Sequence, residues 1–154
     1  MRGAASVLAA AAVLVGCSAT RDGEPADASV EPAVEDAQGP LPGYEITTSR
    51  AGMFTAAWRP LGDGVPNNEP FEIEVLLFEG AGIEQPLEGA RVLISAWMPD
   101  HAHGMLREPR AIEESPGRYR VRGMLLHMGG FWQIFVDVVR DGVSERAQFE
   151  LTIE

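Results

Sequence analysis

Phe71-Glu72-Ile73-Glu74-Val75-Leu76-Leu77 is the stretch that decides the fold. Phe71, Ile73, Val75 and Leu77 stand at every second position, with Glu72, Glu74 and Leu76 between them. A period of two belongs to an extended strand, whose successive side chains point to opposite faces, so one face is buried and the other is solvated. The same rhythm returns downstream. Val92, Ile94 and Ala96 form one row; Tyr119, Val121 and Leu125 form another, opposite Arg118, Arg120 and Arg122. Trp132, Ile134, Val136 and Val138 make a further row, and Ala147, Phe149, Leu151 and Ile153 make the last. Turn-forming punctuation separates the rows: Gly62-Asp63-Gly64, Gly80-Ala81-Gly82, Ser115-Pro116-Gly117, Gly129-Gly130 and Asp141-Gly142. Short alternating runs with such spacing predict an all-β fold, an Ig-like antiparallel β-sandwich of about seven strands. The expected strands cover residues 44–59 (broken near Ala51-Gly52), 70–78, 90–98, 107–113, 118–126, 131–140 and 144–153. No stretch beyond the N-terminal segment reads as a helix.

The first residues read as an address. Met1-Arg2-Gly3 is a short positive start, and residues 4–15 are built of alanine, valine, leucine and one serine. That run falls short of the roughly 20 apolar residues of a membrane span and fits a signal peptide. It ends Leu14-Val15-Gly16-Cys17, which closely resembles the lipobox of bacterial lipoproteins, and Cys17 is the sole cysteine. The resemblance implies removal of residues 1–16 and a covalent lipid on Cys17, palmitate among its acyl chains. At about 0.8 kcal/mol per buried CH₂, several chains make a stable anchor. Ser18 follows where an aspartate would mark inner-membrane retention in the enterobacterial sorting rule. The expected location is the cell envelope, lipid-anchored and facing the periplasm, with the outer membrane favoured.

Residues 17–43 hold the lipidated cysteine and a tether rich in Ala, Asp, Glu, Pro and Gly, with no aromatic residue. Such a composition buries too little apolar surface to offset its ordering entropy and reads as disordered. Residues 44–154 hold the sandwich.

The formal net charge is -11, from 23 acidic and 12 basic residues, and every basic residue is arginine. Nucleic-acid binding needs clustered cations, so a charge this negative argues against it. It argues likewise against a polybasic grip on anionic lipid.

The residues that carry chemistry gather in one region. His101, His103 and His127 are the chain's histidines, and Met98, Met105, Met124 and Met128 lie among them. If the strand at 107–113 exists, those at 90–98 and 118–126 run the same way, and the loops that follow them share one pole. The clusters Met98-Pro99-Asp100-His101-Ala102-His103-Gly104-Met105 and Met124-Leu125-Leu126-His127-Met128-Gly129-Gly130 would then meet. Imidazole suits several transition metals, whereas thioether favours Cu(I), so the mixture points to copper before zinc. A His-x-His pair on extended backbone would turn both rings to one side. His101, His103 and Met105 lead the candidate ligands, followed by Met98, His127 and Met128. Against this stands ordinary packing. Methionine fills gaps in cores, and strict alternation puts His127 on the core row of Tyr119 and Val121 and Met124 on the arginine face.

The first cluster, with Gly117-Arg118-Tyr119 and Met128-Gly129-Gly130-Phe131-Trp132, resembles the YtkA-like domain family, which is similar to the FixH-like proteins. The resemblance spans about residues 71–153 and implies an Ig-like sandwich in an exported or membrane-anchored bacterial protein. Two functions compete. One is an envelope-anchored carrier that takes Cu(I) from a donor protein or delivers it to an acceptor. The other is a non-catalytic Ig-like interaction module of a membrane-associated complex. A zinc hydrolase built on His101, His103 and His127 is a distant third, since zinc gains little from the methionines and no general base stands out. No catalytic residue is expected. Intact-mass measurement of the mature protein should show acyl chains on Cys17, and Cys17→Ser should accumulate the full-length precursor; a mature form without acyl mass would overturn the lipoprotein reading.

Overall fold

The computed structural model describes residues 40–154. The expected signal segment 1–16, Cys17 and the expected tether up to residue 39 lie outside the described residues. The chain enters through Leu41-Pro42-Gly43, where the Tyr44 amide donates to the Leu41 carbonyl (3.1 Å). Nine strands make up the fold: β1 (Glu45–Thr48), β2 (Phe54–Pro60), β3 (Phe71–Glu79), β4 (Arg91–Met98), β5 (His103–Gly104), β6 (Arg110–Ser115), β7 (Arg118–Met124), β8 (Gly130–Arg140) and β9 (Val143–Ile153). They form two antiparallel sheets, β1-β2-β3-β7-β6 and β5-β4-β8-β9.

The all-β sandwich is as the alternation predicts. Nine strands replace seven for two reasons. The first expected strand splits into β1 and β2 at the anticipated Ala51-Gly52 break, and a two-residue β5 returns along the end of β4. The strand expected at 107–113 begins only at Arg110, after Pro109, which has no amide hydrogen to give to a ladder. One 3₁₀ turn, Pro99–His101, follows β4.

Turn chemistry fixes the registers. Asp141 and Gly142 both have positive φ (51° and 80°) between the paired residues Arg140 and Val143, the two-residue hairpin turn whose twist suits flanking strands. Pro116-Gly117 joins β6 to β7 with φ +67° at Gly117. A Cβ on Gly117 would lie 2.6 Å from the Leu77 carbonyl oxygen and 2.9 Å from Pro86 Cβ, so both conformation and space require glycine.

The core lies between the sheets. Phe54, Ala56 and Trp58 of β2, Ile73, Val75 and Leu77 of β3, and Tyr119 and Val121 of β7 face Val92, Ile94, Ala96 and Met98 of β4 with Trp132, Ile134, Val136 and Val138 of β8. Trp58 meets Phe149 of β9 edge-on, with ring centroids 6.1 Å apart. Each such large side chain contributes about 1.5–3 kcal/mol by leaving water.

Two expectations of strict alternation fail, each for a physical reason. Met124 is fully buried in the core and does not continue the arginine face. The β3–β7 register shifts between Phe71, opposite Met124, and Glu72, opposite Arg122; Gly123 is the extra residue, with φ +86°. This β-bulge reverses the parity of the residues beyond it, so Leu126 is buried and Leu125 only partly so. Glu74, on the outer face of β3, is also buried, at 3% exposure. Its Oε1 accepts from Arg59 Nε (3.0 Å) and a terminal guanidinium nitrogen (2.8 Å), and the carboxylate also accepts from the Tyr44 hydroxyl and from Arg118. The Arg59 guanidinium lies 4.7 Å over the Tyr44 ring. Burial by itself would raise the Glu74 carboxyl pKa, but the hydrogen bonds from Tyr44, Arg59 and Arg118 outweigh it and hold the group below its ordinary value.

A depressed folded-state pKa stabilises the fold above the unfolded-state value, and that contribution is lost as pH falls through the folded value. Glu74→Gln should therefore lower stability by about 1–3 kcal/mol at neutral pH. Denaturation curves of the two proteins should converge as pH falls below the ordinary carboxylate range; a gap independent of pH would refute this account. Gly117→Ala should cost about 1–3 kcal/mol in the same assay, against a smaller effect for alanine at Gly64, where φ is also positive but no atom lies within 4 Å of the added Cβ.

Candidate functional site

β4 and β5 form a tight hairpin, with Trp97 opposite Gly104 and Met98 opposite His103. Directly opposed residues share a face of the sheet, so His103 stands on the inner face with the buried Met98, while Trp97 is 40% exposed on the outer one. Glycine at position 104 permits the close return: a Cβ there would lie 2.9 Å from the Ala96 carbonyl oxygen. The connection is the 3₁₀ turn Pro99–His101, closed by Ala102 in the left-handed region (φ 52°, ψ 40°). The His-x-His segment is therefore turned at Ala102, a correction to the extended geometry expected for it. The two rings still lie with centroids 5.8 Å apart, at 38°.

His127 arrives from the other sheet, in the segment between β7 and β8. That segment is fixed by a hydrogen bond from the Asn68 amide to the Leu126 carbonyl (2.8 Å) and by the Trp132 indole N–H, which donates to the Met128 carbonyl (2.9 Å). The His103 and His127 ring centroids are 4.8 Å apart, with the rings tilted by 31°. The two expected clusters thus meet at one pole. Trp132, fully buried, meets both rings edge-on at 5.7 Å and 5.8 Å.

The polar atoms of this pair are unusual. Buried side-chain nitrogens and oxygens almost always find partners. Among the described residues, those without one are Trp58 Nε1, His103 Nε2, His127 Nδ1 and Glu145 Oε2. Two of these are imidazole nitrogens of neighbouring rings. His103 Nδ1 lies 3.3 Å from the Gly104 carbonyl oxygen. A carbonyl can only accept, so the proton of neutral His103 belongs on Nδ1 and the Nε2 lone pair is left free.

The other candidates fall around this pair in different ways. Met98 is buried, and its methyl group would meet a Cβ on Gly130 at 2.5 Å, so glycine at 130 makes room for it. Met105 and Met128 are partly buried against the core, Met124 is wholly within it, and His101 is exposed on the hairpin turn. Among the described residues, no three His, Cys, Asp or Glu side chains gather as a metal-holding group. Methionine sulfurs are the soft side-chain donors at the same pole. Sequence reasoning ranks His127 behind His101; the bulge at Gly123 and the hydrogen bond from Trp132 to Met128 flank it on either side, and neither is visible in the chain alone.

Residues 66–137 match the model of the YtkA-like family. The matched span contains every candidate histidine and methionine. No curated protein matches the chain. Among solved structures, a DUF4426 family protein from Pseudomonas aeruginosa is similar, with a TM-score of 0.51 and 18% identity over 72% of this chain and 94% of that one. At that identity the likeness is one of fold. Over residues 66–137 the chain is similar to the YtkA-like family, and the histidine–methionine cluster lies inside that matched span.

Proposed function

We propose that this protein is an envelope-anchored lipoprotein that binds Cu(I) through a His/Met site and carries or delivers it outside the cytoplasm, without catalysing a reaction. The carrying observation is the pair of buried, unpartnered nitrogens on His103 and His127, whose ring centroids lie 4.8 Å apart. Leaving a buried polar atom unpaired costs about 1–3 kcal/mol, a cost that metal coordination would offset. The donor set fits Cu(I): two neutral imidazoles, with the thioethers of Met98, Met105 and Met128 as soft donors at the same pole. Zinc fits less well, because structural and catalytic zinc sites use three or four N, S⁻ or O ligands. A copper donor or acceptor protein would be the partner, and the acylated Cys17 would hold the carrier at the membrane.

A second reading, an interaction module, draws on Trp97 and Leu106, which are 40% and 77% exposed on the same hairpin region. A Cu(I) competition titration against a micromolar chelator separates the two. The wild type should withdraw Cu(I) from the chelator, and His103→Ala combined with His127→Ala should abolish this. Met105→Leu should weaken Cu(I) more than Cu(II). A wild type that leaves the chelator's copper untouched would overturn the copper reading in favour of the interaction module.

A further inference from the structure

The histidines differ in depth. His103 and His127 are half-buried, and each hides one nitrogen from solvent; His101 is exposed, as are its neighbours Asp100 and Ala102, on a turn that contributes no buried residue. The spacing is stepwise: 5.8 Å between the His101 and His103 centroids, then 4.8 Å between His103 and His127. The turn that carries His101 is braced from below. Ala102 N–H donates to the Pro99 carbonyl (3.2 Å), and beyond β5 the Met105 amide donates to the Ala96 carbonyl (3.2 Å). Pro99 and the left-handed Ala102 fix the backbone on either side of it.

From this gradation we infer that His101 is the entry ligand of the site: it takes the metal ion at the surface, passes it to His103 and His127, and meets it again on release. The inference rests on the copper reading above and adds to it a path and a partner contact. Cu(I) is not exchanged as a bare aqueous ion. A new coordinate bond forms as an old one breaks, and the ion stays Cu(I) throughout, so no oxidant or reductant is needed. Donors whose free nitrogens are buried cannot themselves reach a ligand held by another molecule. An exposed imidazole one ring away can. A ligand that binds the ion only during transfer lowers the barrier from both sides. It speeds loading and unloading by the same factor and leaves the equilibrium unchanged. The incoming partner would therefore meet the Asp100-His101-Ala102 turn and would itself present a soft, exposed donor.

Full-length protein loaded with Cu(I) tests this by stopped-flow exchange with a chromophoric Cu(I) chelator, together with equilibrium competition. His101→Asn keeps a polar side chain on the turn but loses the imidazole. It should slow loading and unloading at least tenfold while shifting the dissociation constant less than threefold. His101→Met restores a soft donor and should recover most of the rate, which a merely structural role of His101 in the turn would not allow. A tenfold weaker equilibrium constant in His101→Asn would make His101 an equilibrium ligand and overturn the entry role. Unchanged exchange rates would overturn it too. Wild-type protein that takes up no Cu(I) would instead defeat the underlying copper reading.

Discussion

Gly123 sets the phase of the chain as it leaves β7. At φ +86° it adds one residue to β7 opposite β3 and reverses which side of the sheet the chain addresses. Before it, Arg118, Arg120 and Arg122 point outward to the carboxylates of Glu72, Glu74 and Glu114. After it, Met124 and Leu126 point inward. A residue with a Cβ takes that backbone conformation only at a cost. Without the reversal, Met124 would join the arginine face and Leu126 would leave the core. The segment that carries His127 follows directly from this reversed parity.

The sandwich holds two polar clusters with opposite balances. Around Glu74 every demand is met: three donors converge on one carboxylate, and the guanidinium that serves it also stacks on the Tyr44 ring. Fully satisfied networks of this kind make a unique arrangement rigid. It also ties Tyr44, just before β1, to β3 two strands away, fixing the first strand against the sheet. At the other cluster, imidazoles share an aromatic neighbour, Trp132, and leave nitrogens without partners. The satisfied cluster has the character of a brace, whereas the other leaves buried nitrogens open. Both lie within a protein of strongly negative charge, so the difference comes from local pairing.

Most of the architecture was legible because alternation is a local property. In β4, burial follows the sequence residue by residue, with Val92, Ile94, Ala96 and Met98 inside and Arg91, Leu93, Ser95 and Trp97 outside. Asp141-Gly142 and Pro116-Gly117 gave their turns for the same reason. The convergence of the histidine clusters was also accessible, since it follows from strand direction once β6 is granted. What escaped depended on cross-strand pairing. A bulge is a relation between two strands, and Gly123 alone does not distinguish a bulge from an ordinary strand glycine. Glu74 looked solvated because nothing in its own strand reveals that Arg59, Arg118 and Tyr44 will cover it. The left-handed Ala102 was equally hidden, because an alanine carries no turn signal of its own.

Glu154 lies at the same pole as the histidines. Asn67 Nδ2 reaches the Glu154 carbonyl (3.4 Å), and the space beside Gly129, two residues from His127, is bounded by Ile153 and Glu154. An oligohistidine run placed after Glu154 would therefore bring foreign imidazoles beside His103 and His127, and any metal it took up would be misattributed to that pair. The Asp141-Gly142 hairpin, at the far end of β8 and β9, is the place for an affinity handle that leaves the cluster undisturbed.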